Sequence, residues 1–180
     1  SGPGLPKKNF DFDVADNQGQ KIDVPLLGMP AENDWIFKAE YLDNTLLINT
    51  VAYEFARRMG RYAPRTRQCE VFLDGNYIGV YTLMEKVKRD KERLNIAKMT
   101  SADTVGSALT GGYIIEMNIN GDPGAWNSIY PPINAVTSPH PVEFKYVYPK
   151  VDSILPVQGQ YIKAYVDSFE YALNANTFTD

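Results

Sequence analysis

Cysteine and histidine are almost missing from this 180-residue chain: Cys69 and His140 are the only ones. A lone cysteine excludes an intrachain disulfide, and its place in an alternating apolar stretch reads as a small buried hydrophobe. A lone histidine between Pro139 and Pro141 excludes a histidine-rich metal site and argues against a Ser-His or Cys-His catalytic pair. No apolar run approaches the roughly 18 residues of a membrane span. No glycine-rich phosphate loop of either common spacing is present. Positive charge is in short supply, with 18 Lys and Arg against 22 Asp and Glu and a net charge of −4. That excludes the basic footprint of a nucleic-acid binder. The locally basic run from Lys86 to Arg93 is interleaved with acids and reads as a solvated face. No secretory leader is visible, although the opening SGPG says little about export.

What remains is an ordinary globular composition, 44% hydrophobic and 22% charged, enough for one domain or one and a part. The 12 Tyr, 8 Phe and 2 Trp favour β structure. The strongest local signal runs from Arg67 to Val87. Two apolar runs meet at Asp74-Gly75-Asn76, and a tight hairpin turn needs the positive φ that glycine supplies. The second strand continues into Leu83-Met84-Glu85-Lys86-Val87.

Around this hairpin the periodicities order the chain. Phe10, Phe12 and Val14 alternate, a turn follows at Asp16–Gly19, and Ile22 and Val24 resume, predicting a hairpin over 6–24. Trp35–Ala39 reads as a short strand. Asp43 is placed to cap a helix to about Met59, with Leu47, Val51, Phe55 and Met59 at four-residue spacing and Gly60 as its stop. A helical turn is expected at 90–98, a loop at 100–110, strands at 113–117 and 142–147, and a long Pro- and Gly-rich loop from Gly121 to Pro141. The last element is an amphipathic helix over 157–173, with Ile162, Tyr165, Val166, Phe169 and Leu173 on one side. The fold class is therefore α+β: a mostly antiparallel sheet with one long packed helix, followed by the start of something more helical.

A strand that ends in Met-Glu-x-Val shortly after a long helix resembles the handover from the small to the large lobe of a protein kinase. Longer phrases carry a closer resemblance: LPKKNFDFDV, LLGMPAENDWIFKAEYLDNTLL, GRYAPRTRQCEVFLDGNYIGVYTLMEKVKRDKERLNI, TGGYIIEMN and YPKVDSILPVQGQYIKAYVDSFEYAL. These are similar to the CotH (spore coat protein H) kinase family, in wording nearest its Bacteroidetes-type members, and they cover nearly the whole chain. The resemblance implies an atypical protein-kinase fold with a small lobe at 1–87 and the first part of a large lobe at 88–180. It implies transfer of phosphate from ATP, with Mg, to Ser or Thr of coat or surface proteins, and an exported or cell-surface setting. It also implies truncation at both ends. The catalytic and metal-holding acids would follow the late helix, beyond Asp180, so no catalytic residue and no metal ligand is assigned within the chain.

Phosphoryl transfer is mostly positioning and charge neutralisation, so a small lobe should offer a cation for the phosphates and an acid to hold it. Lys38, at the end of its apolar strand, and Glu54, sixteen residues on, either form that pair or are two solvent-facing charges. Lys8, or its neighbour Lys7, matches the family's Pro-Lys-Lys phrase and is the other phosphate candidate. The main chain at Met84, Glu85 and Val87 is either an adenine-reading hinge or a strand ending in a charged turn. The resemblance places an Arg-Asn pair where this chain has Ile48-Asn49, so Ile48 is a departure. A different class remains open: a cell-surface interaction module or pseudokinase scaffold that binds a peptide or glycan through Trp126 and Tyr130. Apolar surface left uncovered by an absent lobe would favour dimerisation or domain swapping.

Overall fold

The computed structural model describes residues 4–118, 123–130 and 141–175. The chain divides into two compact units, residues 1–87 with 92–94 and residues 88–91 with 95–180.

Unit 1 is built on four strands, β1 (Phe10–Asp13), β2 (Asp34–Lys38), β3 (Thr66–Leu73) and β4 (Asn76–Glu85). They lie in the order β1-β2-β4-β3, with every pairing antiparallel. The β3–β4 hairpin turns at Asp74 and Gly75, both at positive φ (50° and 80°), the backbone that a two-residue hairpin demands. Beyond β1, residues 14–24 form no second strand. Isolated bridges join Ala15 to Lys21 and Val24 to Glu32 instead. The partner of β1 is β2, which buries its aromatic side better than a solvated hairpin would. Phe12 stacks on Phe37 with ring centroids 4.6 Å apart, and Met29, Trp35 and Leu83 form the core with Phe12, Val14, Leu26, Phe37 and Cys69 around them.

The opposite face of the sheet is mixed, with Ile36 and the buried Met84 as register neighbours on it. Lys38, Thr82 and Gln68 are register neighbours across β2, β4 and β3. Helix α1 (Ile48–Arg58) is joined to this face. The Gln68 amide donates to Thr82 Oγ1 at 2.8 Å and to the Leu46 carbonyl at 2.9 Å. The helix starts later than the sequence suggests, yet Asp43 still terminates it chemically. Its Oδ2 accepts from the backbone N–H groups of Leu47 and Ile48 at 2.9 and 2.8 Å. A bond from the Thr45 hydroxyl, then those from the N–H groups of Ile48, Thr45 and Leu47, hold the Asp43 carboxyl down at about 2. A carboxylate depressed in the folded state stabilises it fully above its ordinary range and loses that contribution as pH falls through the folded value. The thermal midpoint should therefore drop between about pH 4 and pH 2, and Asp43→Asn should flatten this part of the profile, as followed by circular dichroism.

Unit 2 contains β5 (Ile114–Asn118), β6 (Trp126–Asn127) and β7 (Glu143–Tyr148) in an antiparallel sheet of order β5-β7-β6. A short helix, α2 (Gly106–Thr110), stands where a loop was expected. No helix forms at 90–98, where the chain makes a turn. The last helix, α3 (Pro156–Asn174), has the expected extent. It docks through its first half: Gln158 and Ile162 are buried, and Gln158 donates to the carbonyls of Thr100 and Asp103 at 2.8 and 3.1 Å. Tyr165, Phe169 and Leu173, expected on a packed side, are 48–63% exposed. Parts of the long Gly121–Pro141 segment, with His140 and Asp122, lie outside the described residues.

Candidate functional site

The chain leaving β2 builds the site. Ala39 and Glu40 are buried, and Glu40 takes φ 48°, a backbone that few side chains adopt. The Asn9 Oδ1 fixes this bend by accepting from the Ala39 N–H at 2.9 Å. The Glu40 carboxylate accepts from the Asn49 amide, in the first turn of α1, at 3.0 and 2.8 Å. Between β2 and α1 this leaves a cavity of about 260 Å³, lined among others by Asn9, Lys38, Glu40, Ile48 and Asn49. Pockets for whole drug-sized ligands run to about 300–1,000 Å³, so this one suits a compact polar group.

Lys38 is the candidate cation here. It is half-buried and forms no hydrogen bond or ion pair with the described residues. Glu54 is not its partner. Both Glu54 oxygens are taken on its own helix, by Arg57 at 2.7 Å and Arg58 at 2.8 Å, which together pull its carboxyl below the usual range. The acid of the pocket is Glu40, which sequence reasoning passed over. Strand alternation could not have found it, because β2 ends at Lys38 and Glu40 bends at positive φ.

The two lysines of Pro6-Lys7-Lys8 separate. Lys8 is exposed. Lys7 is turned inward, donates to the Val80 carbonyl, and lies 4.3 Å from the centroid of the Tyr81 ring. Burial holds the Lys7 amine below its ordinary value, while the charge of Glu40 pulls the other way. Gly79, at φ 111°, leaves the space beside the Lys7 stem. The same Glu40 charge, behind the larger effect of burial, raises the phenol of Tyr53.

Met84 and Glu85 belong to the central strand. Met84 pairs with Ile36 on one side and Thr66 on the other, and Glu85 pairs with Trp35 while its N–H donates to the Arg65 carbonyl at 3.2 Å. Their main chain is therefore committed to the sheet, and the Glu85 side chain is bound to Arg65. Of the hinge candidates only Val87 lies beyond the ladder, where it is 39% exposed. The first main-chain groups beyond the ladder are those of Lys86, whose carbonyl accepts from Arg93 at 3.0 Å.

A family model described as CotH kinase protein matches residues 3–180. The chain belongs to the CotH kinase family. No match was found among curated proteins or among solved structures. Membership makes this a kinase-type chain at the level of the family, with ATP and magnesium as the group's expected cofactors. Among the described residues of this CotH-family chain, no group of three or more His, Cys, Asp or Glu side chains gathers to hold a metal. Those residues do not fit a magnesium site, and no step is derived through one. The cavity carries the Lys38 ammonium and the Asn9 and Asn49 amides beside the Glu40 and Asp43 carboxylates, on a largely apolar lining. No helix in the described residues is long and apolar enough to cross a membrane.

Proposed function

We propose that residues 1–87 form the nucleotide-binding part of an ATP-dependent protein kinase and that Lys38 meets the phosphate chain. The uncommitted Lys38 ammonium lining the cavity between β2 and α1 carries this reading. An ammonium in such a place neutralises phosphate charge, and Glu40, locked by Asn49, supplies the opposite charge across the cavity. Adenine would be read by the main chain at Lys86–Val87. The position opposite Glu85 is Trp35, three residues from Lys38, or about 10 Å of strand. ATP supplies the phosphoryl group, the acceptor is a Ser or Thr hydroxyl of a coat or surface protein, and the setting is exported or at the cell surface. The residues that activate that hydroxyl are not assigned among the 180.

Titration calorimetry with ATP tests the binding step. Saturable binding is expected, weakened about tenfold or more in Lys38→Ala, because a hydrogen bond to a charged group contributes about 1.5–3 kcal/mol. Lys8→Ala should bind as the parent does. Equal affinity for Lys38→Ala and the parent would sink the assignment. In the peptide- or glycan-binding alternative, the Trp126 ring lies 5.6 Å from Phe144 and 4.8 Å from Tyr146.

A further inference from the structure

Helix α1 sits on the sheet inside out. Asn49, Thr50 and Arg57 make its attachments, to Glu40, Gln68 and the Pro64 carbonyl. The apolar stripe of Leu47, Val51, Phe55 and Met59 points away and is 45–71% exposed, and Ile48, at the edge of the cavity, is 63% exposed. No residue of the helix is buried. Rolling the stripe inward would break the Asn49–Glu40 clamp and the bonds from the Gln68 amide to Thr50 and the Leu46 carbonyl. The outward stripe is thus fixed by the polar inner contacts, and a contiguous exposed patch of this kind marks an interaction surface.

We infer that this face pairs with the same face of a second copy of the chain, the two α1 helices running antiparallel. Two features point to a second copy. A groove of about 240 Å³ beside the stripe, lined by Thr50, Val51, Glu54, Phe55 and Arg58, lies next to Phe55, the bulkiest knob on it. Knob and hole on one patch are what a two-fold contact uses, since each copy offers both. The ends of the stripe also carry opposite charge. Asp43 precedes the helix, and Arg58 and Arg61 close it, with Arg58 75% exposed. Antiparallel pairing brings each arginine end against the partner's Asp43 end, whereas parallel pairing sets like charges together. The helices also align their dipoles favourably only when antiparallel. An 11-residue helix is about 16 Å long, and one such pair buries less than the roughly 800 Å² per partner of a standard interface, so the dimer is weak.

Sedimentation velocity of the 180-residue chain over a range of about 5–500 µM should show a reversible monomer–dimer equilibrium with a dissociation constant in the micromolar range. Val51→Glu and Phe55→Glu, at positions already exposed, should weaken it at least tenfold while the circular dichroism spectrum stays unchanged. Mixed Leu47→Cys and Met59→Cys chains, mildly oxidised, should form the 47–59 disulfide, and Leu47→Cys alone should not cross-link. A monomer at all concentrations, a dimer that survives both glutamate variants, or a 47–47 cross-link would each overturn the proposal.

Discussion

Replacing Arg65 with alanine is expected to destabilise unit 1 by about 3–5 kcal/mol, the cost of leaving a buried charge without its partner. Glu85 is 1% exposed, at the end of the central strand. Its Oε1 accepts from the Arg65 guanidinium at 2.7 Å and its Oε2 from the Arg65 backbone N–H at 2.8 Å. Arg65 also donates to the Glu92 carbonyl at 2.8 Å, so the side chain ties residues 92–94 back to the sheet. Nearby, burial and then the Glu85 charge push the Tyr62 phenol up to about 12, so it stays neutral and adds no second negative charge beside Glu85. Pairing Arg65→Ala with Glu85→Gln should recover part of the loss, because the stranded charge is gone while the amide oxygen still accepts from the backbone. Urea unfolding followed by circular dichroism reads both. Equal losses in the single and double variants would show that the ion pair's charge is not the source.

Trp35→Ala is expected to cost a similar amount, about 3–5 kcal/mol, by a different route. Trp35 is fully buried, and its removal opens the middle of the Met29–Trp35–Leu83 cluster. Its Nε1–H donates to the Glu32 carbonyl at 2.8 Å, a bond that alanine leaves unmade. The Arg93 guanidinium lies 5.1 Å from the indole centroid while donating to the carbonyls of Asp34 (2.7 Å) and Lys86 (3.0 Å). Losing the ring therefore exposes an arginine that the fold has sealed. Trp35→Phe keeps most of the packing and should cost clearly less. The urea midpoint again measures it, by circular dichroism, since one of the two tryptophans is deleted.

The strands were legible wherever local chemistry decides them. Asp74-Gly75 announces its turn because no other backbone closes a two-residue hairpin so easily. The apolar runs at 35–39, 113–117 and 142–147 fall within a residue or two of β2, β5 and β7. What sequence could not show was what each face meets. The four-residue repeat of α1 displays an apolar stripe but not its direction. That direction is fixed by the Asn49–Glu40 bond and by Gln68, a residue distant in sequence that reaches Leu46 and Thr82 only once β3 and β4 are in place. The site failed in the same way. Glu54 has the right spacing for a partner to Lys38 and is drawn off by two arginines on its own helix. Glu40 looks like the charged start of a loop until a positive φ folds it under α1. Lys7 and Lys8 are indistinguishable as letters, and Gly79 and Tyr81 decide which of them turns in.

Position 40 therefore serves two opposed demands. Its backbone conformation suits glycine, and strain of this kind costs about 1–3 kcal/mol in any other residue. Yet only a carboxylate answers Asn49 and faces Lys7 and Lys38. A glycine at 40 would relax the bend and at the same stroke erase the acid of the pocket. Random drift under selection for folding alone would thus reach this residue early. Among CotH-family chains, a glutamate retained at this bend would distinguish proteins that still use the cavity from those that have kept only its walls.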